Sequence, residues 1–191
     1  MEEKLEVVNE KDEVIGSASR EEIHQKGLLH REVHVYFVTA DNHIIFQRRG
    51  WHKDTYPGLL DATVGGHVAP GESYLGTVIR ETAEETGLKL APQDFRLILK
   101  NRRRSFDEKT GATNNCLGES YLYLFSGRAE ELRVEAGDGA GFEAWSFEDI
   151  EKADADASAG FIPYIYNFSN QEVIPFARES LGAFITGIPK G

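Results

Sequence analysis

The segment RETAEETG, residues 80–87, gathers three glutamates on what its flanks predict to be a helix. Glu81, Glu84 and Glu85 lie close together, because residues three or four apart on a helix are neighbours. Clustered carboxylates repel one another unless a cation neutralises them, and hard divalent ions such as Mg²⁺ prefer oxygen ligands. Arg80 stands four residues before Glu84, close enough to orient it. The segment therefore indicates either a metal site or a solvated acidic helix face.

A helix over residues 74–86 must position these carboxylates. Ser73 can cap its start, and Gly87 can supply the left-handed residue that ends it. Upstream, the Gly65-Gly66 pair permits a close backbone approach, and Glu72 precedes the helix. At about 100° per residue the apolar side chains form one stripe and the glutamates, with Thr77, a neighbouring one. The apolar stripe consists of Leu75, Val78, Ile79 and Thr82.

The rest of the chain alternates strand-like and helical patterns. A short helix is expected after the cap Ser19, ending at Gly27, and a closing amphipathic helix over residues 170–187. The segment EAWSFEDIEKA is typical of a strand entering a helix, and ADADASAG of a loop or a frayed helix end. Strands on both sides of one central helix predict a mixed α+β or α/β sandwich. The expected strands are residues 5–8, 33–39, 44–49, 95–100 and 119–127.

Composition narrows the classes of function. The 191 residues suit one domain, 40% of them are hydrophobic, and the net charge is −11. Such a charge disfavours duplex nucleic acid but admits small phosphate ligands bridged by metal ions. The single cysteine, Cys116, excludes an internal disulfide and a cysteine-rich zinc site. No run is apolar enough to span a membrane, and the acidic start lacks signal-peptide features, so a cytoplasmic location is expected. The oligomeric state stays open, a homodimer included.

The wider spacing around the helix is specific. From Gly66 the chain has the pattern G-x5-E-x7-R-E-T-A-E-E-T-G-L, which resembles the Nudix box, G-x5-E-x7-R-E-U-x-E-E-x-G-U, with U apolar. Every fixed position matches, and Thr82 at the first U is a mild departure. The matching positions are Gly66, Glu72, Arg80, Glu81, Glu84, Glu85 and Gly87, with Leu88 at the last U.

The resemblance implies an α/β/α Nudix sandwich with a mixed sheet and a loop–helix–loop catalytic motif. It implies a hydrolase that cleaves the diphosphate linkage of a small molecule, with Mg²⁺ or Mn²⁺ as cofactor. Glu81, Glu84 and Glu85 would hold the metal, and one of them or a glutamate from a later loop would activate water. On this basis one Nudix domain spans residues 1–191, with an extension at 1–30, the box at 66–88 and a helical segment at 160–191.

A second resemblance covers most of residues 5–150. Several stretches are similar to the Nudix subgroup related to type I isopentenyl-diphosphate isomerase; they are NEKDEVIG, SREEIHQKGLLHREV and FQRRGWHKDTYPGLLDATVGGHVAPGES. By this likeness His30, His67 and Glu119 match metal-ligand positions, and Arg49 and Lys53 match positions that bind the diphosphate. The candidate catalytic residues are Glu81, Glu84, Glu85 and Glu119; the substrate contacts are Arg49, Lys53, His67 and Arg80; the metal set is Glu81, Glu84, Glu85, Gly66, Glu119, His30 and His67.

The positions at which the chain departs from the isomerase favour a hydrolase over an isomerase. Its reactive cysteine falls at Gly65 here, and a second glutamate ligand falls at Leu117. The isomerase has a basic residue at the position of Glu81, whereas this box is whole. A diphosphate hydrolase is therefore expected, ahead of an isomerase and of a Nudix-fold binding protein without turnover. His24 and His34 are expected at the surface or in packing. Cys116 is expected to be a buried or loop thiol without a catalytic role. Two interpretations remain open for the basic run, a phosphate contact or a solvated strand edge; it consists of Arg102, Arg103 and Arg104.

Overall fold

The computed structural model describes residues 3–134 and 139–186. The strands are β1 (Lys4–Val8), β2 (Val14–Ser19), β3 (His30–Thr39), β4 (His43–Arg49), β5 (Leu60–Asp61), β6 (Val64–His67), β7 (Phe95–Phe106), β8 (Thr113–Phe125) and β9 (Gly139–Ser146). The α-helices are α1 (Arg20–Lys26), α2 (Tyr74–Thr86), α3 (Phe147–Lys152), α4 (Ala155–Ser158), α5 (Pro163–Phe168) and α6 (Ile174–Thr186). A π-helical turn, Ser169–Val173, joins α5 to α6.

Strand β3 is the centre of a seven-stranded mixed sheet. Along one edge it pairs in parallel with β8, which pairs in turn with β7. Its other edge is shared, because β6 pairs with its N-terminal half and β4 with its C-terminal end. Strands β5 and β9 extend the sheet from β4. Thus β6, which ends at His67, lies beside the first residues of β3.

Helices cover both faces of this sheet. Successive residues of a strand project from opposite faces. Val33, Val35 and Phe37 of β3 pack in one core with Val78 of α2, whereas Tyr36 and Val38 pack in a second core with α3, α5 and α6. The fold is the expected α/β/α sandwich with a mixed sheet.

The helix that carries the glutamates begins and ends where the sequence predicts. The Ser73 hydroxyl accepts a hydrogen bond from the N–H of Gly76, and Gly87 takes the left-handed conformation with φ 77°. Val78 and Thr82 are fully buried. The caps satisfy backbone groups that would otherwise lack partners, so local chemistry defines both ends of α2.

Some boundaries differ from the sequence expectation. Strand β7 continues to Phe106 and β8 starts at Thr113, so the two form a long hairpin. The closing helix contains the π-helical turn, and its predicted last residue, Gly187, lies outside the described residues. In the described part of the chain no helix is both long and apolar enough to cross a membrane.

The N-terminal hairpin of β1 and β2 docks on the sheet through its turn. Asp12, at φ 65°, contacts Arg31 of β3 at 2.6 Å and Lys100 of β7 at 2.5 Å. The hydroxyl of Tyr74 on α2 donates to the same carboxylate. One aspartate therefore ties the hairpin to three elements.

Candidate functional site

The box helix α2 lies directly over β6. Gly66 has no side chain, and a Cβ there would collide with the carboxyl group of Glu81. Gly66 is therefore needed for the helix to bring Glu81 onto the strand. The N–H of Gly65 donates a hydrogen bond to Glu85. Both glutamates are thus held against the backbone of β6.

Arg80 binds three box glutamates together. Its Nη2 lies 3.0 Å from Glu72, and its Nη1 lies 2.9 Å from both Glu81 and Glu84. The expected orienting contact to Glu84 is present, and the donors of Arg80 are occupied within the box. This supports a positioning role for Arg80 over direct substrate contact.

The two glutamates nearest β6 lie where ionisation of their carboxyl groups is unfavourable. Burial raises the pKa of Glu81 to about 7. Burial, together with the charge of Glu81, raises the pKa of Glu85 well above its usual range. Glu85 is only 7% exposed, whereas the side chain of Glu84 is 50% exposed. A divalent cation would stabilise the ionised form of such carboxylates, so the donor set fits the metal that the box implies.

Three histidines from three elements meet at the other end of β6. His24 is on the last turn of α1, His30 opens β3 and His67 ends β6. One ligand nitrogen from each lies within 4.8 Å of the others, and the ring centroids are 5.2–5.3 Å apart. His24, which the sequence assigned to the surface or to packing, is therefore part of a group that can hold a metal ion.

Backbone contacts prepare two of these imidazoles as ligands. The Nδ1 of His24 lies 2.8 Å from the carbonyl of Arg20, and the Nδ1 of His30 lies 3.1 Å from that of Leu28. Each Nδ1 must carry the proton, because a carbonyl only accepts, so each Nε2 keeps its lone pair. The Nε2 of His30 is buried without a hydrogen-bond partner among the described residues. Burial lowers the pKa of His30, and that of His67 to about 3, so both rings stay neutral as metal ligands require.

Glu119 does not join the histidines. The register of β3 and β8 pairs Val33 with Glu119 and His30 with Cys116. Paired residues project from one face and successive residues from opposite faces, so Glu119 lies on the α2 face and His30 on the other. The predicted set of His30, His67 and Glu119 is wrong in its third member. Glu119 instead contacts Lys100 at 3.4 Å and accepts a hydrogen bond from Tyr121.

A cavity of about 470 Å³ opens beside the histidines. Arg49 lines it, but its guanidinium is already bonded to Asp61 at 2.9 Å and to the carbonyl of Thr55 at 3.0 Å. Lys53, half-buried in the following loop, is not part of the lining. The two cations predicted to bind diphosphate together are thus placed differently, and Arg49 holds the loop 50–59 in the structure.

A buried ionic network that sequence reasoning missed lines the same cavity. The His34 Nε2 donates to Glu32 at 3.1 Å, while the Nδ1 of His34 accepts from Arg103. Asn114 and the Cys116 thiol also donate to Glu32, each at 3.0 Å. Burial opposes ionisation of Glu32, but the charge of Arg103 and the His34 contact hold its pKa well below the usual range. Burial excludes the surface alternative for His34 and the solvated alternative for Arg103. Cys116 is buried, which agrees with one of the two expectations for it.

The signal for this network was the alternation within HREVHV. Positions 30, 32 and 34 share one face of β3, and a polar side chain at each marks that face as a site rather than a plain core. Ring atoms of His34 also lie 3.1 Å from where a Cβ on Gly65 would stand. The place that the isomerase's thiol would occupy is thus bordered closely by His34.

Comparison with known proteins places the chain in a family. A NUDIX domain profile matches residues 28–167. The chain belongs to this family. It is 41% identical over 88 residues to the uncharacterized Nudix hydrolase YfcD of Escherichia coli K12, covering 46% of this chain and 49% of YfcD. It is 32% identical over 132 residues to an uncharacterized Nudix hydrolase of Clostridium acetobutylicum, covering 68% and 62% of the two chains. The match spans about half the length of YfcD.

Solved structures share the fold. DR0079 from Deinococcus radiodurans has a TM-score of 0.60 at 24% identity, covering 76% of this chain and 85% of that one. The NUDIX domain of Shewanella oneidensis NrtR, solved with ADP ribose, has a TM-score of 0.56 at 18% identity, covering 86% and 99%. At these sequence identities, the similarity to the two solved structures shows a shared fold. The two sequence relatives in the preceding paragraph both carry the name Nudix hydrolase.

Proposed function

We propose that the protein is a divalent-metal-dependent hydrolase that cleaves the diphosphate linkage of a small organic diphosphate. One observation carries the proposal. The complete set of box glutamates is held over β6, with Glu85 buried, Glu81 partly buried and the pKa values of both raised. A metal-dependent hydrolase needs all of these carboxylates to bind its metal, even where burial makes their ionisation unfavourable. A binding protein without turnover has no need of the complete set.

The box residues and Glu119 have separate roles in this proposal. Glu81, Glu84 and Glu85 would hold Mg²⁺ or Mn²⁺, with the Gly66 segment beneath them, and Arg80 keeps the glutamates in place. The bound metal would neutralise diphosphate oxygens and lower the pKa of a water molecule. Glu119 lies in one row with Gly66 and Val33 across three strands, on the α2 side. It is therefore the proposed base from a later element.

A second metal site accompanies the first in this proposal. His24, His30 and His67 supply three neutral nitrogens, a donor set that suits zinc and other transition metals better than Mg²⁺. His24→Ala and His30→Ala should each lower the bound zinc or manganese that survives gel filtration, measured by elemental analysis. His43→Ala, at the first residue of β4, is the matched control and should keep the bound metal. Equal metal content in all three variants would rule out the histidine site.

The substrate's organic group would enter the cavity beside the histidines. Its volume of about 470 Å³ lies within the usual range for small-molecule sites. The ADP ribose in the NrtR domain makes nucleoside diphosphate sugars a sensible part of any substrate panel. The sequence-based expectations of a cytoplasmic location and of an acidic surface that avoids duplex nucleic acid belong to the same proposal.

The test is a panel of diphosphate compounds assayed with Mg²⁺ and with Mn²⁺. Phosphate release and product identity are measured, with and without excess chelator. At least one compound should be cleaved at its diphosphate linkage, and chelator should abolish the activity. Full turnover in excess chelator, or tight binding of a diphosphate without cleavage under every metal condition, would contradict the proposal.

A further inference from the structure

Gln47 of β4 makes a side-chain hydrogen bond to Glu85. Its Nε2 donates to Glu85 Oε2 at 2.9 Å. Arg80 contacts the other three box glutamates but not this one. Glu85 is therefore held by a different element from its neighbours, namely the sheet rather than its own helix.

The amide of Gln47 is itself fixed. Gln47 is only 8% exposed. A Cβ on Gly139 of β9 would stand 3.4 Å from Gln47 Cδ, so the β9 backbone packs closely against the side chain. An immobilised Gln47 amide holds the Glu85 carboxylate, which accepts its hydrogen bond, in one orientation. Residues that are hydrogen-bonded to metal ligands commonly have this role.

The surroundings of Glu85 make this contact decisive for its orientation. The carboxyl groups of Glu81 and Asp61 lie close enough to Glu85 to repel its carboxylate. Two donors, the Gln47 amide and the Gly65 N–H, oppose that repulsion. Removing one of them leaves the carboxylate free to rotate away from its neighbours.

We propose that Gln47 is a positioning residue for Glu85: it orients this glutamate from the sheet so that its carboxylate can complete the metal site. This rests on the proposed function, because it concerns the affinity of the box for a divalent ion. Gln47 acts through Glu85 and makes no contact with substrate in this assignment.

The experiment compares Gln47→Met with wild type. Methionine keeps the length and the apolar packing against Gly139 but lacks the donor. Both proteins carry His24→Ala, so that the histidine site does not take up Mn²⁺. The Mn²⁺ dissociation constant, read from the free-ion EPR signal, should then rise by about 10-fold or more. The Mg²⁺ concentration needed for half-maximal turnover should rise with it. Gln25→Met is the matched control, since Gln25 donates to Glu21 at 2.8 Å on the exposed face of α1, and it should bind Mn²⁺ like wild type.

A double-mutant cycle shows whether Gln47 acts through Glu85. Gln47→Met combined with Glu85→Gln should bind Mn²⁺ no more weakly than Glu85→Gln alone. Should Gln47→Met not fold, Gln47→Asn, which withdraws the amide by one methylene, makes the same test. A lowered melting temperature with wild-type Mn²⁺ affinity would overturn the proposal and leave Gln47 a purely structural residue. Wild-type protein that binds no Mn²⁺ would overturn the proposed function itself.

Discussion

Glu85 combines the three properties expected of a metal-binding carboxylate in this box. It is buried, it is held by Gln47 and the Gly65 N–H, and it lies beside Glu81. Glu84, in contrast, is half exposed, and its carboxylate is paired with Arg80 of its own helix. The residues of one motif are therefore unequal, although the sequence presents them as a uniform acidic cluster.

Glu85→Gln should lower kcat by at least ~10²-fold, because the amide cannot serve as an anionic metal ligand. The fold should survive, since Gln keeps the size of the side chain and removes a charge that is unfavourable when buried. Steady-state kinetics with Mg²⁺ and a thermal melt measure both effects. Glu148→Gln, on the exposed face of α3, is the matched control; activity in Glu85→Gln close to that control would contradict the assignment.

Arg49 requires a revised prediction. A pure substrate contact could be removed without loss of stability, but this guanidinium is bonded to Asp61 and Thr55 within the protein. Arg49→Ala should therefore lower stability by about 1–3 kcal/mol, as expected for a lost hydrogen bond to a charged group. The melting temperature should fall by roughly 2–10 °C.

The matched control for Arg49 is Arg128→Ala. Arg128 forms an exposed ion pair with Glu131, and such pairs contribute little to stability. Thermal melts without ligand compare the two variants, and KM on the best substrate tests whether Arg49 also binds diphosphate. A wild-type melting temperature together with a raised KM in Arg49→Ala would restore the original prediction of a substrate contact.

At the scale of elements, the N-terminal hairpin depends on its turn. Burial raises the pKa of Asp12, but hydrogen bonds from Lys100 and Arg31 outweigh it, so the folded pKa is lower than usual. A carboxylate with a depressed pKa stabilises the fold at pH values above its unfolded pKa, and that contribution is lost as the pH falls through the folded pKa.

Asp12→Asn should accordingly lower the free energy of unfolding at neutral pH by about 1–2 kcal/mol, as for other hydrogen bonds to charged groups. Asparagine tolerates the left-handed conformation of this turn, so the loss reports the charge. The difference from wild type should stay constant from pH 7 to about pH 5 and shrink below about pH 4. Urea unfolding at several pH values measures it. Exposed Asp156→Asn is the control, and a difference that grows on acidification would refute the explanation.

At the scale of the molecule, the sheet separates two kinds of site. The box glutamates lie under α2 on one face, and the histidines and the Glu32 network lie toward the other, with β6 between them. The cavity borders both, because Asp61 lines it and its charge acts on Glu85. Gly65 offers no thiol at this boundary, and Cys116 is buried with its thiol donated to Glu32. The chain belongs to the Nudix family, and the closer likeness to the isomerase subgroup stays a prediction from the sequence.

The purified protein should therefore not interconvert isopentenyl and dimethylallyl diphosphate. The expected outcome follows from the lack of an accessible thiol for proton transfer on the cavity side of β6. Incubation of each isomer with Mg²⁺ and Mn²⁺, followed by product separation, measures the conversion. Conversion at enzymatic rates, in a preparation free of contaminating isomerase, would favour an isomerase over a diphosphate hydrolase.

Features set by neighbours in the chain were predictable from the sequence. The limits of α2 depend on Ser73 and Gly87, and the box spacing depends on helical periodicity, so both could be read without a structure. The strands around β3 followed from β-branched and aromatic runs. The sandwich class then followed from the order of the elements, because a sheet with apolar residues on both faces needs helices on both sides.

The tertiary structure alone decided which distant residues meet. His24 joined His30 and His67 because α1 packs beside the start of β3, and no local pattern records that contact. Glu119 does not join the histidines with which the resemblance grouped it, because the register of β3 and β8 decides its direction and a shift of one residue reverses it. Gln47 binds Glu85 because α2 packs on the sheet, and Arg49 binds Asp61 across the paired strands β4 and β5. Local chemistry therefore determined the elements and the box, whereas strand register and packing determined the composition of the sites.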